Sequence, residues 1–248
     1  MDNLIAVWGN SGAGKSLVSC AVANALTKKG DNVIVLCTDK LTPMFQVYLP
    51  MEIVLPEQSL GRLLSGEISE ERLRHTIHIH PKNDHLGFMA LTSGENGLQY
   101  QVNWSTDNIY KLVAFLFEKG FAEYIIFDCT SDVLSDGGTL FALGQAQCVL
   151  ELFSPDTRSV SFSQSQMSIL QGGNFNLKHI KIINNAYEYS PAVQMQKDYD
   201  IEFLLPHSRD VYGKFVGGGL IKDLSDEAGK KFEKAVEEIL KRIVKANG

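Results

Sequence analysis

The chain has 248 residues, 44% of them hydrophobic, and a formal net charge of −6. This supplies a sizeable core and suits one α/β domain over residues 1–248, while the acidic balance argues against a globally basic nucleic-acid binder. No run of about 18 apolar residues is present to cross a membrane, and the opening MDNLIAVW is too short and too acidic for a signal peptide, so a cytoplasmic protein is expected.

Short apolar runs alternate with amphipathic stretches. Strands are expected over Leu4–Trp8, Val33–Cys37, Leu86–Leu91, Tyr124–Phe127, Gln147–Phe153, Ile180–Ile183 and Ile201–Leu205. Most are continuous rather than alternating in apolar character, as in strands covered on both faces. Helices are expected over Ser16–Lys29, Thr106–Lys119, Asp136–Leu143 and Thr157–Leu170, with short helices between Leu60 and His80. Alternation of this kind implies right-handed crossovers and a doubly wound, mostly parallel sheet with helices on both faces. A final helix is expected over Ser225–Lys245, with Ser225 as its cap and Phe232, Val236, Ile239, Leu240 and Ile243 on one docking face.

The stretch GNSGAGKS, Gly9-Asn10-Ser11-Gly12-Ala13-Gly14-Lys15-Ser16, satisfies G-x-x-x-x-G-K-[ST]. Its glycines let backbone N–H groups curl around phosphate oxygens. Lys15 would reach the β- and γ-phosphates and the Ser16 hydroxyl would ligate Mg²⁺. A strand precedes the loop and a helix follows, continuing through Leu17, whose positive end faces the anion. Asp128 ends the apolar run of EYIIFDCTSD, at a strand C-terminus, where such sheets converge on the phosphate site, and would hold the metal with Ser16.

These motifs resemble the ParA/MinD family of deviant P-loop ATPases, which includes partition proteins, division-site regulators and pilus-assembly ATPases related to TadZ and CpaE. GNSGAGKS is similar to the family's K-G-G-x-G-K-[ST], IIFDCTSD to its D-x-P-P or D-x-P-A segment, and VIVLCTDKLTP to its second strand and D-x-D-P loop. KIINNAY and LLPHSRDV resemble its adenine-reading strand and base-flanking segment. The resemblance implies ATP or ADP with Mg²⁺, an ATP-dependent homodimer and a protein partner. It further implies that Asn184 or its neighbour Asn185 reads adenine and that Pro206 flanks the ring. Catalytic roles fall to Lys15, Asp39 and Asp128.

Three places depart from the family pattern: Asn10 replaces its signature lysine, Leu41 its second aspartate, and Thr130-Ser131 its prolines or Pro-Ala. Leucine cannot orient water. Lys40, Asp132 and Asp136 are candidates to replace the missing groups. Two readings follow: a weakly hydrolysing ATPase acting as a dimerising spatial or assembly switch, or a non-hydrolysing, nucleotide-dependent scaffold for a pilus, secretion or conjugation apparatus.

Other features invite plainer readings. Cys20, Cys37, Cys129 and Cys148 are widely spaced and expected as free thiols. His75, His78, His80 and His85 lack companions for a metal site and are expected in a polar loop beside an edge strand. Ser161, Ser163, Ser165 and Ser168 are expected on a solvated helix face. Phe215-Val216-Gly217-Gly218-Gly219 is expected as a pliable turn that bends around the base pocket or ends a helix.

Overall fold

A computed structural model describes residues 1–52, 54–171, 175 and 179–245. In chain order the elements are β1 (Leu4–Gly9), α1 (Lys15–Leu26), β2 (Val33–Cys37), α2 (Phe45–Tyr48), α3 (Leu60–Leu64), α4 (Glu70–Thr76), β3 (His78–His80) and β4 (Asn83–Met89). There follow α5 (Thr106–Glu118), β5 (Tyr124–Asp128), α6 (Gly137–Gln145), β6 (Cys148–Phe153), α7 (Thr157–Gln171), β7 (His179–Ala186), α8 (Ala192–Asp198), β8 (Phe203–Pro206), α9 (Arg209–Val216) and α10 (Glu227–Lys245).

The strands form one sheet in the order β3-β4-β2-β5-β1-β6-β7-β8. All neighbours are parallel except the edge pair β3 and β4. Every residue of β1, β2 and β6 is buried, which explains their unbroken apolar character. Ile5, Val7, Val35, Ile126 and Leu150 pack beneath α1 and α10. Leu4, Ala6, Trp8, Leu36 and Phe127 pack beneath α5, α6 and α7.

The helices are built by local chemistry and held by these faces. In α5 the Ser105 hydroxyl accepts the Asn108 N–H at 3.2 Å, and Gly120, at φ +67°, turns the chain out after the last turn. Ile109, Leu112, Val113 and Leu116 lie on one face and are fully buried, each stabilising the layer by about 1.5–3 kcal/mol. On α10, Phe232, Val236, Ile239 and Ile243 are buried in the same way.

Several boundaries differ from expectation. The last helix is capped by Asp226 rather than Ser225: the Asp226 carboxylate accepts the Gly229 N–H. Ser225 is engaged elsewhere, its N–H and hydroxyl donating to Asp210 at 2.6 and 2.9 Å. The first helix breaks after Leu26 into a 3₁₀ turn closed by Gly30 at φ +85°. β4 begins at Asn83 because it pairs with β3, and stops at Met89 because the carbonyls of Ala90 and Leu91 accept from Leu60 and Phe45 instead of a ladder neighbour. Ser161, Ser165 and Ser168 are exposed as expected. Ser163 is buried and donates to Glu151, so the helix turns one hydroxyl inward to a carboxylate that needs donors.

Trp8, one residue before the end of β1, packs into the core. Its ring is fully buried, 5.3 Å from Phe162 and 6.1 Å from His179. Cys20, Cys37, Cys129 and Cys148 are free; burial pushes the Cys148 thiol up to about 12 and the other three well above the usual range.

Candidate functional site

The site forms where β1, at the centre of the sheet, hands over to α1, with β5 and β6 on either side. This is the point at which connections leave the sheet in opposite directions, and it opens a crevice at the strand ends. At Gly9, with φ +153°, a Cβ would lie 2.2 Å from the Leu152 carbonyl oxygen, so only glycine lets β1 run this close to β6. Gly12 and Gly14 take φ +83° and +85°, the left-handed region that glycine enters without a steric cost. The loop closes on itself through the Ala13 N–H and the Asn10 carbonyl at 3.2 Å.

α1 then starts at Lys15 with no side-chain cap and no acidic residue in its first turn. Its first N–H groups, at the positive end of the helix, are the donors an anion would use. Nothing lies within 4 Å of the space a Cβ at Gly12 would fill, which leaves the cradle open.

A cavity of about 880 Å³ lies over this loop. Ser11, Gly12, Gly14, Lys15, Ser16 and Leu17 form its floor, and Asp39, Asp128, Asn184 and Pro206 also line it. Gly9, Asn10 and Ala13 are buried and stand outside the lining. Asn10 in particular turns inward: its Nδ2 donates to Ser11 O at 3.0 Å and to Ser154 Oγ at 3.2 Å.

Lys15 Nζ is folded onto its own loop. It donates to Gly9 O at 3.3 Å, Asn10 O at 3.2 Å and Ser131 Oγ at 2.8 Å. The Ser131 hydroxyl in turn donates to Gly9 O at 2.9 Å, tying the loop after β5 to the loop after β1. Burial lowers the Lys15 pKa, opposed by the nearby charge of Asp128.

Asp128 ends β5 in register with Val7 on one side and Cys37 on the other. It is almost fully buried, and burial raises its pKa against the pull of the Ser16 and Tyr48 hydroxyls and the Lys15 charge. Tyr48 donates to Oδ2 at 2.5 Å. Oδ1 is buried with no partner at normal hydrogen-bond geometry, although the Ser16 and Ser19 hydroxyls stand close enough to favour the carboxylate. An orphaned carboxylate oxygen beside a serine hydroxyl is an oxygen donor set that fits a hard cation such as Mg²⁺.

The loop residues take simpler roles than the sequence suggests for some of them. Asp39 Oδ1 accepts the N–H groups of Leu41 and Thr42 at 2.8 and 3.0 Å, so its carboxylate shapes the turn. Lys40 Nζ donates to Ser135 O at 2.9 Å, at the cavity rim, and remains a cation in reach of the mouth. Asp136 is not available as a replacement carboxylate: it is buried, caps α6 and accepts from Thr38, Thr130 and Thr139. Asp132 is likewise committed, to Leu134 N, Ser135 N and the Ser135 hydroxyl. Leu41 is 92% exposed.

The far end of the cavity lies between β7, β8 and α9. Asn184 Nδ2 donates to Ala13 O at 2.9 Å, which joins the end of β7 to the loop after β1. Asn185, at φ +61°, pairs with His207 Nδ1 at 2.6 Å. Pro206 ends β8, and Tyr212 and Phe215 of α9 add an aromatic wall. The Gly217–Gly219 segment ends α9, with Gly218 at φ +64°. Tyr48 is signalled by no motif: a single turn such as α2 is too short to leave a period in the sequence.

The histidine-rich stretch is structural. His78 meets Gln58 O at 3.4 Å, His80 meets Gly218 O at 3.1 Å and His85 meets Asn32 Oδ1 at 2.8 Å. Among the described residues no group of three or more His, Cys, Asp or Glu side chains is placed to hold a metal ion. No described helix is long and apolar enough to cross a membrane.

A central parallel strand, a G-x-x-x-x-G-K-S loop and a carboxylate at the end of the neighbouring strand define the P-loop nucleotide-hydrolase fold. The chain has the MinD/ParA form of that fold. It is similar to the cell division ATPase MinD of Pyrococcus furiosus, at 16% identity, with 98% of this chain and 100% of that one covered and a TM-score of 0.76. It is similar to a ParA family ATPase of Chlorobium tepidum, at 17% identity over 96% and 97% of the two chains, with a TM-score of 0.77. The septum site-determining protein MinD of Pyrococcus horikoshii, complexed with Mg-ADP, matches at 18% identity over 96% of each chain, with a TM-score of 0.74. No protein-family model and no curated protein sequence matches the chain.

Proposed function

We propose that residues 1–248 act as one cytoplasmic unit that binds ATP and ADP with Mg²⁺ and hydrolyses ATP slowly, as a switch that dimerises in its ATP-bound form and engages a protein partner. The observation that carries this reading is the orphaned Asp128 Oδ1 beside Ser16, in the same cavity as an uncapped helix N-terminus and Lys15. Ser16 and Asp128 would hold Mg²⁺. When bound, the ion neutralises charge on the β- and γ-phosphates. Lys15 would leave the carbonyls of Gly9 and Asn10 for the phosphates, and the N–H groups of Gly14, Lys15 and Ser16 would bind their oxygens. The adenine would lie between Asn184, Pro206 and the α9 wall. The Mg-ADP complex of the Pyrococcus horikoshii MinD supports this choice of ligand.

Slow turnover is the rate the loops support. Leu41 projects into solvent, and Asp132 and Asp136 are committed to turns and caps. No free carboxylate among these stands ready to orient water. The same facts favour the second reading, a scaffold that holds nucleotide without cleaving it. Dimerisation rests on the family resemblance and on the exposed Leu41 and Leu134 beside the cavity loops.

The test is calorimetric binding of Mg·ATP and steady-state phosphate release, wild type beside Lys15→Ala. Binding by wild type, weakened at least about tenfold (~1.4 kcal/mol) in the variant, is the expected result. Equal affinity of the two proteins overturns the site. Binding without phosphate release selects the scaffold.

A further inference from the structure

Tyr48 reaches Asp128 from 80 positions away in the chain. It sits at the end of α2, in the segment that follows the Asp39 turn, and its hydroxyl donates to Oδ2. The ring is buried and stacked on Phe88 of β4, centroids 5.2 Å apart and planes within 24°.

This contact divides the carboxylate. One oxygen, Oδ2, is occupied by a donor whose ring is packed on Phe88. The other, Oδ1, makes no hydrogen bond, in a carboxylate that the Ser16 and Ser19 hydroxyls and the Lys15 charge also face. A carboxylate free to rotate about its terminal bond would exchange its two oxygens. Seated on Tyr48, it presents Oδ1 alone. Losing an outer partner that orients a ligand in this way typically costs about 10–100-fold in metal affinity.

We propose that Tyr48 is a positioning residue for the divalent cation: its hydroxyl fixes the Asp128 carboxylate so that Oδ1 is the oxygen offered to Mg²⁺. The inference rests on the nucleotide-site reading above and adds to it a residue outside the loop. It also makes α2 part of the site's machinery. Met44 and Val47, beside Tyr48 in sequence, line the cavity, so a shift of this segment on ligand binding would move the hydroxyl that sets the metal ligand.

The experiment is a Mg²⁺ titration of fluorescent ATP-analogue binding, run with binding in excess EDTA as its reference, for wild type and Tyr48→Phe. The phenylalanine keeps the ring against Phe88 and removes only the donor. The expected result is EDTA affinity within about twofold of wild type and an apparent Mg²⁺ affinity weaker by about tenfold or more. In the Asp128→Asn background the same change should have no further effect on the Mg²⁺ titration, because the two residues act through one contact. Phe88→Leu, which retains the phenol and loosens its seat, gives a smaller weakening in the same direction and serves as the second variant if Tyr48→Phe does not fold. An unchanged Mg²⁺ requirement in either folded variant overturns the role of Tyr48 while the nucleotide site stands. Equal losses with and without Mg²⁺ reduce Tyr48 to a packing residue and also overturn it. Failure of wild type to bind the analogue at all overturns both readings.

Discussion

The Asn10 amide and the Ser154 hydroxyl meet inside the protein at 3.2 Å, beneath the loop that Asn10 helps to form. The position is 3% exposed. In the family that the sequence resembles, a lysine at this place crosses to a second subunit. Here the side chain turns the other way and ties the loop to the segment after β6.

A lysine at position 10 therefore has to leave a closed polar pocket. Asn10→Lys strands the Ser154 hydroxyl and abandons the bond to Ser11 O. The expected cost is about 1–2 kcal/mol, read as a fall in Tm of about 3–6 °C for a chain of this size. A melting temperature equal to wild type would show that the pocket yields without cost.

Asp39 separates two roles by a single atom. As a turn residue it needs Oδ1, which asparagine retains. As a catalytic base it needs the second oxygen, which asparagine lacks. Because both of its observed bonds run to Oδ1, Asp39→Asn should keep phosphate release within about threefold (~0.65 kcal/mol) of wild type. Asp39→Ala, which frees the Leu41 and Thr42 N–H groups, should lower nucleotide affinity. Loss of turnover in Asp39→Asn with binding intact would return the residue to catalysis.

The two loop glycines should fail differently. At Gly14 an added methyl meets Asn184 Nδ2 at 2.1 Å on a backbone at φ +85°. Gly14→Ala should cost more than the ~1–2 kcal/mol of left-handed strain alone and should part Asn184 from Ala13. At Gly12 the space is open, so Gly12→Ala carries strain only, and its methyl occupies the cradle. Chemical denaturation and Mg·ATP binding together distinguish them: a large stability loss for Gly14→Ala, and lost binding with a small stability loss for Gly12→Ala.

The joint between α9 and α10 should be acid-sensitive. The Ser225 N–H and hydroxyl hold the Asp210 carboxyl below the usual range, with a smaller pull from Lys214. The Gly229 N–H and the Ser208 hydroxyl do the same for Asp226. A carboxyl whose folded pKa lies below its unfolded value adds stability above the unfolded value, about 3.9. That stability is lost as pH falls through the folded value. The stability gap between wild type and Asp210→Ala, from urea melts at pH 7, 5 and 3, should be steady at the first two and narrower at the last. A constant gap at all three would show that the charge of Asp210 is immaterial.

What the sequence by itself determined was the repeating and the contiguous. Runs such as Leu4–Trp8 and Val33–Cys37 are apolar because both sheet faces are covered, and their short, unbroken apolar character marks them as buried strands. GNSGAGKS is legible because eight neighbouring residues build one loop, and Asp128 because it ends its strand. Only the tertiary structure decided where single side chains point. It turned Asn10 inward to Ser154, spent Asp132 and Asp136 on a turn and a cap, gave the α10 cap to Asp226, and brought Tyr48 under Asp128. The physical reason is that a hydrogen bond between residues 80 or 144 positions apart leaves no period in the chain. Such a contact follows from strand order and loop path, which are fixed when the whole sheet assembles.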